Sequence, residues 1–305
     1  MERLQFPIEK IKLFFHYKDK QRSKNKEYIS AYALLFTAAL IIFAVYELRT
    51  SRFQAYFLNH TAKDLKFRME QGQSPSIRFP KQGPYDERLG YTHLPAFIDR
   101  LTAKGYKIEA QARFSKNLAE VTDKGFFTTF HEKTQAGLQI LDRDNNALFT
   151  ASYPERIYNN FSEVPDAVVR SLLFIENKDL LDTRLPYLNP AVEWDRLAKA
   201  VMFKGRHLID RGEKVPGGST LATQMEKYRH SPEGLTSSVR DKYRQMISAA
   251  LRAYLSGKQT IETRRHIIID YINSIPLGAV PGYGQVNGIG DGLYAWYNAD
   301  FNQAN

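Results

Sequence analysis

The densest chemistry in this 305-residue chain lies in Gly217-Gly218-Ser219-Thr220-Leu221-Ala222-Thr223-Gln224-Met225-Glu226-Lys227. The glycine pair lets main chain approach a ligand, Ser219 or Thr220 can cap the helix that follows, and Gln224 and Lys227 lie three apart on one helical face. A helix start favours anions and Lys227 adds a full positive charge, so a phosphate or pyrophosphate is the ligand class that suits this stretch. An ordinary capped helix after a glycine turn has the same residues, so neighbouring segments must decide. About forty residues earlier, Phe174-Ile175-Glu176-Asn177-Lys178 ends an apolar run in which Ala167, Val168, Val169, Leu172, Leu173 and Ile175 recur at helical spacing after Pro165. That helix delivers Glu176 at its C-terminal end, partly desolvated and suited to general acid or base work; a surface glutamate is the plain alternative.

The elements that must hold these groups are mostly helical after Ser162. A helix begins at Ser219, another at Ser237 or Ser238 runs through Lys242, Gln245, Ala249 and Leu251, and Thr260 caps a last one through Ile272. Pro276-Leu277-Gly278 stops it. The stretch from Pro281 to Gly292 reads as a glycine-rich tail, and its Gly288-Ile289-Gly290 lacks the strand–turn–helix context of a dinucleotide site. Upstream, residues 49–72 read as a helix and Gln73 to Pro84 break it. From Tyr85 to Ser152 the pattern is a small α+β unit: a helix over Leu94 to Ala103, a strand over Tyr106 to Phe114, and a hairpin whose strands flank Asp142 to Asn146. His93 and His131 are isolated, so no metal-ligand spacing is present and structural or surface roles are expected for both. There is no internal repeat.

With 43% hydrophobic and 25% charged residues the composition is globular, and a net charge of +10 asks for an acidic partner. The absence of cysteine excludes disulfides and thiolate chemistry. Tyr28 to Tyr46 is an uncharged apolar run of about nineteen residues, about 28 Å as a helix, which reads as one transmembrane span. Lys18, Lys20, Arg22, Lys24 and Lys26 precede it and only Arg49 and Arg52 follow closely, so the N-terminus is expected in the cytoplasm and the bulk outside. A nucleic-acid partner is therefore excluded. The basic tail, with Ile8, Ile11, Phe14 and Phe15, suits either anionic headgroups or solvent. The expected division is residues 1–27 tail, 28–47 transmembrane helix, 48–152 membrane-proximal α+β domain, and 153–305 mainly helical domain.

Four ordered segments, Phe174 to Leu180, Gly217 to Lys227, Arg240-Asp241-Lys242-Tyr243-Arg244-Gln245 and Tyr271 to Gly278, together resemble the peptidoglycan glycosyltransferase domain, family 51, of class A penicillin-binding proteins and monofunctional glycosyltransferases. The resemblance implies a membrane-anchored α+β chain with a lysozyme-like helical domain that polymerises lipid II, a polyprenyl-pyrophosphate disaccharide, with inversion, at the outer face of the bacterial cytoplasmic membrane. It implies Glu176 as the base; Gly218, Ser219, Thr220, Gln224 and Lys227 on the donor; and Arg240 and Lys242 as further cations. Lipid II, the nascent glycan strand, membrane lipids and cell-wall synthesis proteins are the implied partners. The need for a divalent cation, magnesium or manganese, stays open. The chain departs from the family at Asn177, at Asp241 and at Gln245, which stands where the family has a second catalytic glutamate; Gln245 can hydrogen-bond but carries no charge. The family also continues through helices beyond Asn305, so a piece of a longer protein is expected. Two readings follow, an active transglycosylase and a catalytically silent glycan- or lipid II-binding scaffold; a lysozyme-like hydrolase would need a second carboxylate, and none stands at a matching position.

Overall fold

The computed structural model describes residues 31–80, 83–199 and 218–304. The basic tail, the first residues of the apolar run and Gly217 lie outside them. Helix α1 (Ala31–Thr50) has a mean hydropathy of 2.0 and no buried residue in its apolar window, so it is long and apolar enough to cross a membrane.

Residues 50–305 form one compact unit of mixed α and β structure. Helix α2 (Arg52–Ala62) buries Ala55, Asn59 and Ala62, and the Asn59 amide donates to the Tyr254 carbonyl at 2.8 Å. The helix expected through residue 72 ends there. Residues Phe67–Gln71 are instead strand β1, paired antiparallel with β2 (Ala110–Phe114) in the register Phe67 to Phe114, Gln71 to Ala110. The mixed charges that suggested a helix serve the sheet: Glu70 bridges Arg68 and Arg113. Strand β2 starts four residues later than its alternation suggested. After α3 (Pro84–Arg88), α4 (Leu94–Ala103) matches its expected bounds. The short α5 (Lys116–Asp123), which the sequence reading missed, is capped by Ser115, whose hydroxyl accepts from the Leu118 amide at 3.2 Å.

The expected hairpin forms from β3 (Ala136–Leu141) and β4 (Ala147–Tyr153). Its turn is tied by the Asp142 carboxylate, which accepts from the amides of Asp144 and Asn146, both at 2.8 Å. Helix α6 (Asp166–Glu176) follows, with Pro165 one position before the first turn, and a helical segment α7 is described over 194–199. Helices α8 (Leu221–His230), α9 (Val239–Ala253) and α10 (Ile261–Ser274) complete the frame. Val169 of α6, Leu221 of α8, and Ile268 and Ile272 of α10 meet in the main apolar cluster with Tyr158 and Leu180. Burying side chains of this size stabilises by about 1.5–3 kcal/mol each.

Two expectations near the C-terminal end need correction. Thr260 does not cap α10 with its side chain; its hydroxyl donates to the Leu188 carbonyl at 2.6 Å and ties α10 to the loop after α6. The stretch read as a glycine-rich tail is ordered as the hairpin β5 (Pro276–Val280) with β6 (Gly284–Asn287), then α11 (Ile289–Tyr297) and α12 (Phe301–Ala304). Gly288 joins them at φ +78°, where a β-carbon would lie 2.5 Å from the Asn273 carbonyl oxygen. Only glycine fits that approach.

A buried ionic network couples the stretch before residue 153 to α8 and α9. Glu132 lies 2.9 Å from His230, 3.3 Å from Arg229 and 3.6 Å from Arg252; Asp86 holds the other ring nitrogen of His230 at 3.0 Å, and Arg252 pairs with Glu226 at 2.6 Å. Burial opposes the charge on His230, yet Glu132 and Asp86 outweigh it and lift the imidazole to about 10. Burial alone would raise Glu132, but the charges of His230, Arg252 and Arg229 hold its carboxyl far below the usual range. Gly83, at φ +119°, lies against the C-terminal end of α8, where a β-carbon would collide with the Arg229 carbonyl.

Candidate active site

The start of α8 is built by its two threonines. Thr220 accepts from the Thr223 amide at 3.3 Å, and Thr223 accepts from the Thr220 amide at 2.9 Å, a reciprocal capping box that leaves both residues buried. Thr220, expected on the donor, is thus spent on the cap, and the helix begins at Leu221 rather than at Ser219. Gly218 and Ser219 lead into it and are half-buried. The Ser219 hydroxyl accepts from the Lys242 ammonium at 2.6 Å.

Lys242 comes from the first turn of α9. Ser238 caps that helix by accepting from the Asp241 amide at 3.1 Å, and Ser237 and Ser238 both donate to the Asp241 carboxylate. Those bonds hold the Asp241 carboxyl below its ordinary range. Asp241, which stands between the expected cations Arg240 and Lys242, is therefore a helix-start residue. Burial lowers the pKa of Lys242, and the charge of Lys227 lowers it further. An anion beside Lys242 would offset the repulsion that Lys227 imposes on it.

Glu176, half-buried at the end of α6, accepts from the Gln224 amide at 2.9 Å. Its main-chain carbonyl accepts from the Arg196 guanidinium of α7, and Arg196 pairs with Glu193 at 3.5 Å. Burial pushes the Glu193 carboxyl up, Arg196 opposes that, and Asp179 and Glu176 add to it. Tyr271 of α10 is pushed up to about 12, by burial first and by the charge of Glu176 second. A cavity of about 300 Å³ opens beside these groups, lined by Gln224, Lys227, Tyr228, Glu233 and Tyr271 and by Pro84 of α3. Glu233 sits in the left-handed region at φ +53°, a conformation that costs a non-glycine residue of order 1–3 kcal/mol.

The structure therefore brings Glu176, Gln224, Ser219, Lys227 and Lys242 into one neighbourhood. Two expected site residues stand apart from it. Gln245 is 1% exposed, and its carboxamide donates to Ser231 at 2.9 Å and accepts from Thr236 at 3.1 Å; no hydrogen bond joins it to Glu176. Arg240 is exposed and has no hydrogen bond or ion pair among the described residues. Sequence reading missed Glu193, Arg196, Tyr228, Glu233 and Pro84. Tyr271 lay within a segment already singled out, but the others carry no local signal. Among the described residues no group of three or more His, Asp or Glu side chains could hold a metal ion.

Residues 144–305 match the family model described as transglycosylase. The chain belongs to the transglycosylase family. The match starts in the turn of the β3–β4 hairpin and takes in every site residue named above except Pro84. No curated protein matches the chain. The transglycosylase domain supports a peptidoglycan glycosyltransferase-like function. Asp86 and Glu132, which hold His230, lie before the matched residues.

Proposed function

We propose that the chain polymerises lipid II at the outer face of the cytoplasmic membrane, held there by α1 with its N-terminus inside. The acceptor sugar hydroxyl attacks the anomeric carbon of the donor, the bond from that carbon to the pyrophosphate oxygen breaks with inversion, and the hydroxyl proton passes to the Glu176 carboxylate. Lys227, Lys242, Ser219 and the positive end of the α8 dipole stabilise the departing pyrophosphate, a charge-stabilisation task for which fixed cations and dipoles suit. The observation that carries this reading is the pairing at the two ends of one stretch: Gln224 holds Glu176 while Lys242 holds Ser219, five residues earlier. Base and anion cradle are thus set by the same helix start. Exposed Phe53, Tyr56 and Phe57 on α2, just after α1, suit an interfacial position for that helix.

The rival is a silent scaffold that keeps the groove, and the burial of Gln245 favours it, since no carboxylate stands there. One experiment separates them. Glu176→Gln keeps the shape and the bond to Gln224 but cannot take a proton, so polymer formation from lipid II should fall by about 10²–10⁴-fold with lipid II affinity retained. Polymerisation that survives this change refutes Glu176 as base, and a parent that binds lipid II without forming polymer is the scaffold.

A further inference from the structure

Beside Glu176 stands a second carboxylate that the reaction as written does not use. Glu193 precedes α7, its side chain is 21% exposed, and one oxygen pairs with Arg196 at 3.5 Å. The other, Oε1, is buried with no hydrogen-bond partner among the described residues. An acceptor left in that state costs free energy that a donor would recover. Arg196 places it: the same guanidinium nitrogen touches Glu193 and the main-chain carbonyl of Glu176, so the orphan oxygen lies one guanidinium away from the end of the helix that carries the base. Lys227 and Lys242 stand with Ser219 and the α8 start, whereas Glu193, just before α7, lies on the Arg196 side of Glu176. A carboxylate repels the pyrophosphate and suits neutral donors, and in the substrate of a transglycosylase those are sugar hydroxyls and acetamido N–H groups.

We infer that Glu193 is a glycan-binding residue of this site, its free oxygen accepting a hydrogen bond from a hydroxyl or amide of the sugar strand. The inference rests on the proposed polymerase reading for the identity of the glycan but not on the base or the pyrophosphate cradle. Arg196 pre-sets the carboxylate and at the same time fixes the end of α6, so glycan contact and the position of Glu176 share one guanidinium.

The test uses the full chain in detergent micelles and a lipid-free tetrasaccharide of alternating N-acetylglucosamine and N-acetylmuramic acid, with a set of analogues each lacking one hydroxyl or acetamido group. Titration calorimetry should give a dissociation constant about tenfold weaker for Glu193→Gln than for the parent, as for loss of a hydrogen bond to a charged group. In the parent one deleted sugar group should carry a penalty of about tenfold that vanishes in Glu193→Gln, the mark of a direct pair. Equal binding by parent and variant overturns the inference. So does weaker binding with every penalty intact, which would mean that Glu193 only holds Arg196. Should Glu193→Gln fail to fold, Glu193→Asp keeps the charge for Arg196 and withdraws the oxygen, and the same penalty must disappear. Binding of inorganic pyrophosphate by the parent is measured alongside, so that a failure of the pyrophosphate reading shows separately from a failure of glycan binding.

Discussion

Replacing His230 by glutamine tests whether the buried network is held together by a charged imidazole. In the folded chain His230 titrates at about 10, and unfolded it would return to about 6.5. A group whose folded value is raised contributes stability that is fully present below the unfolded value and is lost as pH rises through the folded one. Here the window runs from about 6.5 to about 10, and within it the contribution falls by roughly 1.4 kcal/mol per pH unit. At neutral pH His230→Gln leaves Asp86 and Glu132 short of one cation while Arg229 and Arg252 remain, so a loss of about 3–5 kcal/mol is expected from breaking a buried pair. Between pH 7 and pH 9 the gap between parent and variant should close by roughly 2–3 kcal/mol. Asp86, whose carboxyl is raised by burial despite His230, takes up protons more readily in the variant. Urea unfolding of both proteins in micelles, followed by tryptophan fluorescence at pH 7, 8 and 9, measures the gap. Parallel stabilities across that range, or a gap that widens with pH, would refute a protonated His230.

The remaining expectations concern the site and the membrane. Lys227→Ala should weaken binding of lipid II or inorganic pyrophosphate by about tenfold, read by titration calorimetry, and change stability by no more than about 0.5 kcal/mol because the side chain lies on the groove rather than in the core. Gln245→Glu should lower stability by about 1–3 kcal/mol and leave polymer yield no higher, since the new carboxylate would be buried between Ser231 and Thr236; a gain in polymer would show that this position reaches the substrate. A periplasm-active reporter joined after Ala151 should be active in cells and one joined before Tyr28 silent, with the opposite pattern sinking the topology.

The helices that carry Glu176 and Lys242 were legible because each has a local start signal and an apolar spacing: Pro165 before Ala167, Val168 and Leu172, and Ser238 before Ala249 and Leu251. Gln224 and Lys227 were legible for the same reason. What escaped notice depends on partners far away in the chain. Arg68 and Glu70 look like solvated helix charges until β2 supplies Arg113. Gly282, Gly284 and Gly288 look like a loose tail, but the positive φ of each shapes a hairpin and its exit. Glu132, Arg229, His230 and Arg252 carry no sequence signal of their network, because nothing local to Glu132 reveals that α8 and α9 bring three cations to it. Glu193 and Arg196 reach the site only because α7 returns to the end of α6.

The network also bears on how this chain can be cut. An expression fragment that starts at residue 144, where the family match begins, discards Asp86 and Glu132 and keeps Arg229, His230 and Arg252. It loses with them Gly83, which packs against the end of α8, and Pro84, which lines the groove. The module borders suggested by homology are therefore poor borders for surgery, and a chimaera or minimal protein built from this chain must carry the stretch from Thr50 onward to keep its interior electrically neutralised.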